Sequence, residues 1–309
     1  MKIVISEFMD ETALEEFGAG DRVQYAPGLV DDRPALLQAV ADADALIVRN
    51  RTQVNTELLE AAPGLRVVGR LGVGLDNIDL DACKTRGIAV CPATGANTLS
   101  VAEYVIAVTL SLLRRAYAAN AAMIAGDWPR NTLIGGEASG RCIGLWGYGG
   151  IARAVADRAR ALGMSVAAMD PYLPADDPAW AGIARCETPA DLLDRADVLS
   201  LHVPLTDETR NMIDADAIAR MRPGAILINT ARGGIVDEAA LVMALVSGKL
   251  GGAALDVFAT EPLTAAAGSM FDGVPNLILT PHIAGVTDEG NVRVSSVTVE
   301  NVKRELSHG

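Results

Sequence analysis

Short apolar runs alternate with stretches of helical periodicity along the first third of the chain. The apolar runs predict strands at residues 3–5, 45–48, 67–68 and 88–90. Between them, residues 33–41 and 56–61 repeat apolar positions at helical spacing. Strands that alternate with helices in this way are typical of βαβ units around a parallel sheet. An α/β fold is therefore predicted for this part of the chain.

The alternation then breaks, and a long helix is predicted over about residues 100–125. Asn97 or Thr98 is a plausible cap, and Gly126 with Pro129 closes the helix. Apolar residues cover nearly its whole circumference, so we expect it to be buried, either between domains or against a second subunit. A homodimer is the expected assembly.

A second βαβ series begins after residue 141. Its predicted strands are residues 142–146, 164–169, 198–201, 225–229, 252–255 and 277–280. A helix over residues 151–162 ends at Gly163. The stretch after Thr287 has helical periodicity and no sheet left to enter, so we expect it to pack back on the N-terminal domain. The prediction is an α/β protein of two doubly wound parallel-sheet domains, the first of them discontinuous.

Length and charge narrow the function. A chain of 309 residues favours two domains over one hydrophobic core. The net charge of −13, without a cluster of Lys and Arg, argues against a nucleic-acid partner. The apolar stretches are too short or too charged for a secretory signal or a membrane span. We therefore expect a cytoplasmic protein with no membrane partner.

The cysteines indicate neither a disulfide nor a metal site. Cys83, Cys91, Cys142 and Cys186 lie far apart without a C-x-x-C pair. Buried, reduced thiols are the expected state, and no metal is predicted.

The segment GYGGIA at residues 147–152 predicts a dinucleotide site. It follows a predicted strand and opens a predicted helix. Gly147 and Gly149 permit a tight turn and close approach of the backbone to a pyrophosphate, and the helix start at Gly150 and Ile151 supplies free N–H groups. The motif alone is weak, but this context makes it specific.

The next predicted strand strengthens the cofactor assignment. It ends at Asp170, about twenty residues beyond the glycines, where a carboxylate can accept hydrogen bonds from the ribose hydroxyls. The same carboxylate repels a 2′-phosphate, and no Arg follows within the next several residues. NAD is therefore expected rather than NADP.

A histidine beside such a cofactor suggests proton transfer coupled to hydride transfer. Of the three histidines, His308 lies next to the C-terminal end, and His202 lies in the apolar run LHVP, where a structural role is expected. His282, in TPHIAG, comes just after a predicted strand, where ligands bind in open α/β sheets. His282 is the predicted general acid.

Three segments resemble the signatures of the D-isomer-specific 2-hydroxyacid dehydrogenases, in the family's order. They are NTARGG with Arg232, DVFATEP with Glu261, and the segment of His282. The segment GRLGVGLDNID at residues 69–79 resembles the family's substrate loop. The resemblance implies a catalytic Arg232, Glu261 and His282, and an Asp256 that contacts the nicotinamide carboxamide.

The resemblance also implies the domain order. A Rossmann cofactor domain, residues 99–283, is expected to be inserted in a flavodoxin-like substrate domain, residues 1–98 plus 284–309. The further cofactor contacts predicted with it are Val203, Pro204, Thr230, Ala231 and Gly285.

The residue types fit these roles. Arg232 can present a planar fork of donors to carboxylate and carbonyl oxygens. The N–H groups of Val73 and Gly74 could hold another carboxylate oxygen. Glu261, if paired with His282, would orient the ring and favour its protonated form. For Glu261 and Arg232 the alternative is a surface salt bridge.

The substrate prediction rests on Arg49 and Arg51, two cations after a predicted strand. If both side chains point into the cleft, they favour a small 2-hydroxy acid with a second anion, of the 3-sulfolactate or 3-phosphoglycerate type. The alternative is a solvated surface pair.

Two other functions stay open: a generic hydroxypyruvate or glyoxylate reductase, and an NAD-sensing corepressor without turnover. Turnover of 2-oxo acids would separate an enzyme from a sensor.

Overall fold

The computed structural model describes residues 1–115 and 119–307. The chain forms two compact units, one of residues 1–97 with 286–309 and the other of residues 98–285. Each unit is built on one parallel β-sheet, of five strands in the first and seven in the second. The predicted fold class is therefore confirmed.

The sheet of the first unit has the strand order β2-β1-β3-β4-β5. Its strands are β1 Lys2–Ile5, β2 Arg22–Tyr25, β3 Ala45–Val48, β4 Val67–Arg70 and β5 Ala89–Pro92. The helices between them are α1 Arg33–Val40, α2 Thr56–Ala61 and α3 Leu80–Thr85. All four residues of β3 are buried, as expected of a central parallel strand covered on both faces.

The last helix, α11 Asp288–Ser307, packs on the first unit's sheet against β3, β4 and β5, as predicted. Gly69 makes the close approach of α11 to β4 possible. A Cβ atom at this position would lie 2.5 Å from Cγ2 of Val302.

The sheet of the second unit has the strand order β12-β11-β10-β9-β6-β7-β8. Its strands are β6 Cys142–Trp146, β7 Ser165–Met169, β8 Ala184–Arg185, β9 Val198–Leu201, β10 Ala225–Asn229, β11 Leu250–Leu255 and β12 Leu277–Leu279. The order reverses between β6 and β9, so the carboxyl ends of these strands form the crevice where ligands bind in doubly wound sheets.

Helices cover both faces of this sheet, with one hydrophobic core on each side. The helices of the second unit are α4 Thr98–Arg114, α5 Asn120–Ile124, α6 Gly150–Ala161, α7 Pro189–Arg195, α8 Ala215–Arg220, α9 Glu238–Val246 and α10 Ala265–Gly268. Of these, α5 and α10 have no buried residue. The cores consist mainly of Val, Leu, Ile and Ala side chains, with a few aromatic and Met residues, and their burial supplies most of the folding free energy.

The prediction of one helix over residues 100–125 is wrong. The helix α4 ends at Arg114, Arg115 has a left-handed φ of 53°, and α5 is a separate short helix; the predicted span also includes residues 116–118, outside the described ranges. At the end of α4, Gly136 N–H donates to the carbonyl of Leu113 (2.8 Å), one of the last carbonyls that a helix leaves without an internal partner. Leu99 and Ala107 of α4 are exposed, so the chain itself covers only part of the helix, and burial of the rest against a second subunit stays a prediction.

The start of α4 also differs in detail. It begins at Thr98, and the side-chain oxygen of Asn97 accepts no hydrogen bond from the described residues, so Asn97 does not cap the helix through its side chain.

Strands β2 and β8 were not predicted. Both are short and lie at the edges of their sheets, where the apolar pattern is weakest. The four cysteines are free thiols, and burial raises the pKa of each. Among the described helices, none has the length and apolar character to cross a membrane.

Candidate active site

Three neighbouring strands of the second unit place the predicted catalytic residues. Arg232 follows β10, Glu261 follows β11, and His282 follows β12. These strands are adjacent and parallel, so their carboxyl ends meet at one edge of the sheet.

The predicted pairing of Glu261 with His282 is confirmed. Nδ1 of His282 lies 2.8 Å from Oε2 of Glu261. The other carboxylate oxygen accepts the N–H of Phe258 at 2.9 Å, which fixes the carboxylate plane. Burial tends to raise the pKa of Glu261, but the His282 hydrogen bond and the Phe258 N–H outweigh it, so the pKa is lowered. Glu261 is therefore ionised at neutral pH and can hold the ring with Nε2 facing away from it.

The backbone at His282 is left-handed, with a φ of 56°. This conformation is uncommon for a residue other than glycine. The His282 N–H donates to the carbonyl of Asp256 at 2.8 Å. The Asp256 carboxylate, only 1 % exposed, accepts the N–H groups of Ile283 and Ala284 and the hydroxyl of Thr280. Asp256 therefore holds the loop that carries His282, a role that the sequence did not predict.

A tight loop after β10 presents Arg232. The buried side chain of Asn229 closes this loop, because its amide donates to the carbonyl of Arg232 (2.9 Å) and its oxygen accepts the N–H of Ala231 (3.0 Å). Gly233 lets the loop touch its neighbour, since a Cβ atom there would overlap the carbonyl of Phe258.

The positive charge of Arg232 acts on the pair that Glu261 forms with His282. It is among the interactions that lower the pKa of Glu261. The cation, the carboxylate and the imidazole thus form one cluster in the second unit, which is the set that the sequence predicted. Asn229 was missed, although its place at the end of a buried strand could have identified it.

The glycine segment lies at the switch point of the sheet. Gly147 has a φ of 87°, and a Cβ atom there would lie 2.5 Å from the carbonyl oxygen of His202. Gly149 has open space where its Cβ would be. It is the N-cap of α6, with Gly150 and Ile151 in the first turn. This leaves a helix N-terminus with room for an approaching pyrophosphate.

Asp170 lies directly after β7, as predicted. Its carboxylate accepts the N–H of Tyr148 at 2.8 Å and the N–H of Tyr172 at 2.9 Å. The residue is only partly buried, so lone pairs remain for a ligand on the exposed side. Asp170 therefore fixes the backbone of the glycine segment and keeps one side of its carboxylate accessible to a ligand.

The other predicted cofactor residues lie on loops at the same edge of the sheet. Val203 and the exposed Pro204 follow β9, and Gly285 follows the His282 loop. Thr230 and Ala231 follow β10, and in the described part of the chain the buried hydroxyl of Thr230 has no hydrogen-bond partner. A buried hydroxyl without a partner costs free energy, and a ligand with a donor or acceptor would relieve that cost.

His202 is buried and is not part of the pair that His282 forms with Glu261. Burial lowers the pKa of His202 to about 4, and its Nε2 lies 2.9 Å from the hydroxyl of Ser200. His202 is therefore a neutral structural residue, as expected. His308 lies outside the described residues.

The predicted substrate residues belong to the first unit. Arg49 is partly buried, donates to Oδ1 of Asn291 at 3.0 Å and lies 5.7 Å above the Phe8 ring. Arg51 is exposed and forms an ion pair with Asp31. The two guanidinium groups thus have different partners. Val73, exposed, and Gly74, partly buried, lie in the loop after β4.

Comparison with known proteins agrees with this arrangement. Residues 106–284 match the model of the "D-isomer specific 2-hydroxyacid dehydrogenase, NAD binding domain". The (S)-sulfolactate dehydrogenase of Chromohalobacter salexigens is 57 % identical over 98 % of both chains. The D-3-phosphoglycerate dehydrogenase of Mycobacterium bovis is 40 % identical over 99 % of this chain, which spans 57 % of that longer protein.

Solved structures give the same result. A protein of Thermus thermophilus superposes with a TM-score of 0.90 at 35 % identity, covering 100 % of this chain and 97 % of that one. The D-lactate dehydrogenase of Aquifex aeolicus, solved with NAD and lactic acid, has a TM-score of 0.84 at 29 % identity and covers 100 % of this chain and 96 % of that one. The chain belongs to the family of D-isomer-specific 2-hydroxyacid dehydrogenases, NAD-dependent oxidoreductases that act on CH–OH groups.

Proposed function

We propose that this enzyme interconverts a 2-hydroxy acid and its 2-oxo acid, and that the substrate carries a second anion, as 3-sulfolactate does. The observation that carries the proposal is the 57 % identity to an (S)-sulfolactate dehydrogenase over nearly the whole length of both chains. Arg49 supports it, because a partly buried guanidinium suits a sulfonate or phosphate.

The chemistry is assigned to the three clustered residues. Arg232 binds the substrate carboxylate and polarises the C2 carbonyl. Bound NAD supplies or accepts the hydride. His282 holds the proton on Nε2, gives it to the C2 oxygen during reduction and takes it back during oxidation. Glu261 keeps the ring oriented through Nδ1 and stabilises its protonated form.

The residues present fit the cofactor. The open space before Gly149 and the free N–H groups at the start of α6 suit the pyrophosphate. The Asp170 carboxylate suits the ribose hydroxyls, and the unpartnered hydroxyl of Thr230 suits a polar group of the dinucleotide. We assign residues 99–283 as the NAD-binding domain and residues 1–98 with 284–309 as the substrate-binding domain.

In this assignment Arg49 and the N–H groups of Val73 and Gly74 bind the substrate's anionic groups. Arg51 is the weaker part of the set, because its ion pair with Asp31 engages it at the surface. An Arg51 that is already paired favours a second candidate function, a hydroxypyruvate or glyoxylate reductase. Such an enzyme needs no second arginine to bind a second anion of its substrate.

A homodimer and a cytoplasmic location complete the proposal. The stretch of residues 119–137 exposes the large apolar side chains Ile124, Trp128 and Ile134, which a second copy of the chain would cover. Light scattering should give twice the chain mass, and Trp128→Lys should give the monomer. Four unpaired cysteines fit a reducing compartment.

A substrate screen tests the proposal. NADH oxidation is followed with 3-sulfopyruvate, 3-phosphohydroxypyruvate, hydroxypyruvate and glyoxylate. A kcat/KM at least tenfold higher for the first than for the last two is expected. Equal values for all four would favour the generic reductase, and no turnover of any would favour an NAD sensor.

A further inference from the structure

A buried carboxylate lies beneath the segment that carries Arg49. Glu7, two residues after β1, is only 4 % exposed. Its Oε1 accepts the N–H groups of Arg49 (2.8 Å) and Thr52 (2.9 Å), and its Oε2 accepts those of Asn50 (3.3 Å) and Arg51 (3.1 Å). One side chain thus satisfies four consecutive backbone donors.

Successive N–H groups that converge in this way form an anion-binding concavity. Here the carboxylate of Glu7 already fills it. The backbone of residues 49–52 therefore has no N–H group left for an external anion, and a substrate anion at this segment has to be met by side chains. Arg49 supplies a guanidinium there.

The opposite side of the segment is held as well. The Asn77 amide donates to the carbonyls of Thr52 (2.7 Å) and Arg49 (3.4 Å). The hydroxyls of Thr52 and Ser6 lie 3.0 Å apart. Asn77 belongs to the loop of Val73 and Gly74, so its hydrogen bonds join that loop to the Arg49 segment.

We propose that Glu7 is a positioning residue for recognition of the substrate's second anion. By fixing the backbone of residues 49–52, it sets the direction in which Arg49 leaves the chain, and with it the hydrogen bond to Asn291 and the placement over Phe8. The inference rests on the proposed function, in which Arg49 binds that anion.

The negative charge of Glu7 has an opposite effect, because it weakens the positive potential near Arg49. Its four N–H partners already compensate much of this charge. A misplaced Arg49 guanidinium has no such compensation. A charge-assisted hydrogen bond needs its donor at the correct angle and within a few tenths of an ångström of the correct position. Placement should therefore outweigh charge.

Glu7→Gln is the test variant, because it keeps the shape and turns an oxygen acceptor into an NH₂ donor that faces N–H groups. With NADH, the KM for 3-sulfopyruvate should rise about tenfold or more. The kcat should stay within about threefold, and the KM values for glyoxylate and NADH within about twofold. Amide hydrogen exchange at residues 49–52 should become faster.

Asp44→Asn is the matched control. Asp44 also lies in the first unit and accepts a backbone N–H, that of Lys2 at 2.7 Å, but it precedes β3 and so lies at the opposite edge of the sheet. It should change neither the two KM values nor the exchange at residues 49–52, whatever its effect on thermal stability. A purely structural loss would affect both variants alike.

Three outcomes for Glu7→Gln would overturn the inference: an equal change of KM for both oxo acids, no change for either, or a lower KM for 3-sulfopyruvate, which would mean that charge dominates. Unchanged exchange at residues 49–52 would overturn it as well. If the wild-type enzyme does not reduce 3-sulfopyruvate, the proposed substrate fails, and the exchange measurement alone decides whether Glu7 holds this segment.

Discussion

Two glycines of the cofactor segment should respond to alanine in opposite ways. Gly147→Ala places a Cβ on a residue with a φ of 87°, at 2.5 Å from the carbonyl oxygen of His202. The left-handed conformation costs about 1–2 kcal/mol, and the forced backbone shift about 1–3 kcal/mol. The free energy of unfolding should therefore fall by about 2–5 kcal/mol.

Gly149→Ala meets neither obstacle, because its φ is −79° and its Cβ would enter open space. We expect the free energy of unfolding to change by less than about 1 kcal/mol. The new methyl group occupies the space assigned to the pyrophosphate. Loss of one hydrogen bond to a charged group, about 1.5–3 kcal/mol, should raise the KM for NADH roughly tenfold to hundredfold.

The assay combines thermal unfolding with NADH kinetics on the purified variants. For a unit of this size, Gly147→Ala should lower the Tm by roughly 4–20 °C, and Gly149→Ala should leave it nearly unchanged. A Gly149→Ala enzyme with normal Tm and normal KM for NADH would refute the reasoning, because the cofactor would then not approach this glycine. A stable Gly147→Ala protein would refute the strain argument.

The remaining predictions concern the catalytic cluster, the Asp170 carboxylate and Arg51. Arg232→Ala and His282→Ala should each lower kcat about a hundredfold or more with little change in KM for NADH, and normal turnover in either would remove its assignment. Glu261→Gln should cost less and move the alkaline limb of the reduction profile to lower pH; an unmoved limb would argue against a role for the carboxylate charge. Because the pKa of Glu261 is lowered from 4.5, its stabilisation is present at neutral pH and is lost as the pH falls through that lowered pKa, so Glu261→Gln should lose less stability in acid urea titrations than the wild type. The Asp170 carboxylate should give NADH a far higher kcat/KM than NADPH, and equal values would contradict its role. Arg51→Ala should raise KM for 3-sulfopyruvate about tenfold and spare glyoxylate if Arg51 binds the second anion; an unchanged KM would leave Arg49 as the anion-binding arginine.

Central strands were the most predictable part of the fold. The predicted strands at residues 142–146, 198–201 and 225–229 agree with β6, β9 and β10, because fully buried parallel strands are continuous apolar runs. The helix predicted over residues 100–125 failed for the opposite reason. The sequence is equally favourable to helix on both sides of Arg115, and no local pattern indicates the left-handed backbone at Arg115 that follows α4.

The site was predictable where motifs carry it. The pairing of Glu261 with His282 and the position of Asp170 at a strand end both agree with the sequence. The second role of Asp256, as the anchor of the His282 loop, depends on hydrogen bonds to residues more than twenty positions away. The Glu7 carboxylate likewise reaches residues more than forty positions away, and no local pattern indicates such a contact.

The direction of the Arg51 side chain also could not be predicted from the sequence. Spacing alone allowed it to share a ligand with Arg49, but a surface carboxylate, Asp31, lies within reach and engages it. Long flexible side chains after a strand end are placed by such partners rather than by their position in the chain.

The most direct test of the central claim is the ratio of kcat/KM for 3-sulfopyruvate to that for glyoxylate, both measured with NADH under the same conditions. The account predicts a ratio of at least about ten, the smallest effect expected when one hydrogen bond to a charged group, about 1.5 kcal/mol, distinguishes the two substrates. It also predicts that the ratio collapses toward one in Arg49→Ala, with kcat for glyoxylate largely kept. A ratio near or below one in the wild-type enzyme would contradict the claim that the substrate carries a second anion.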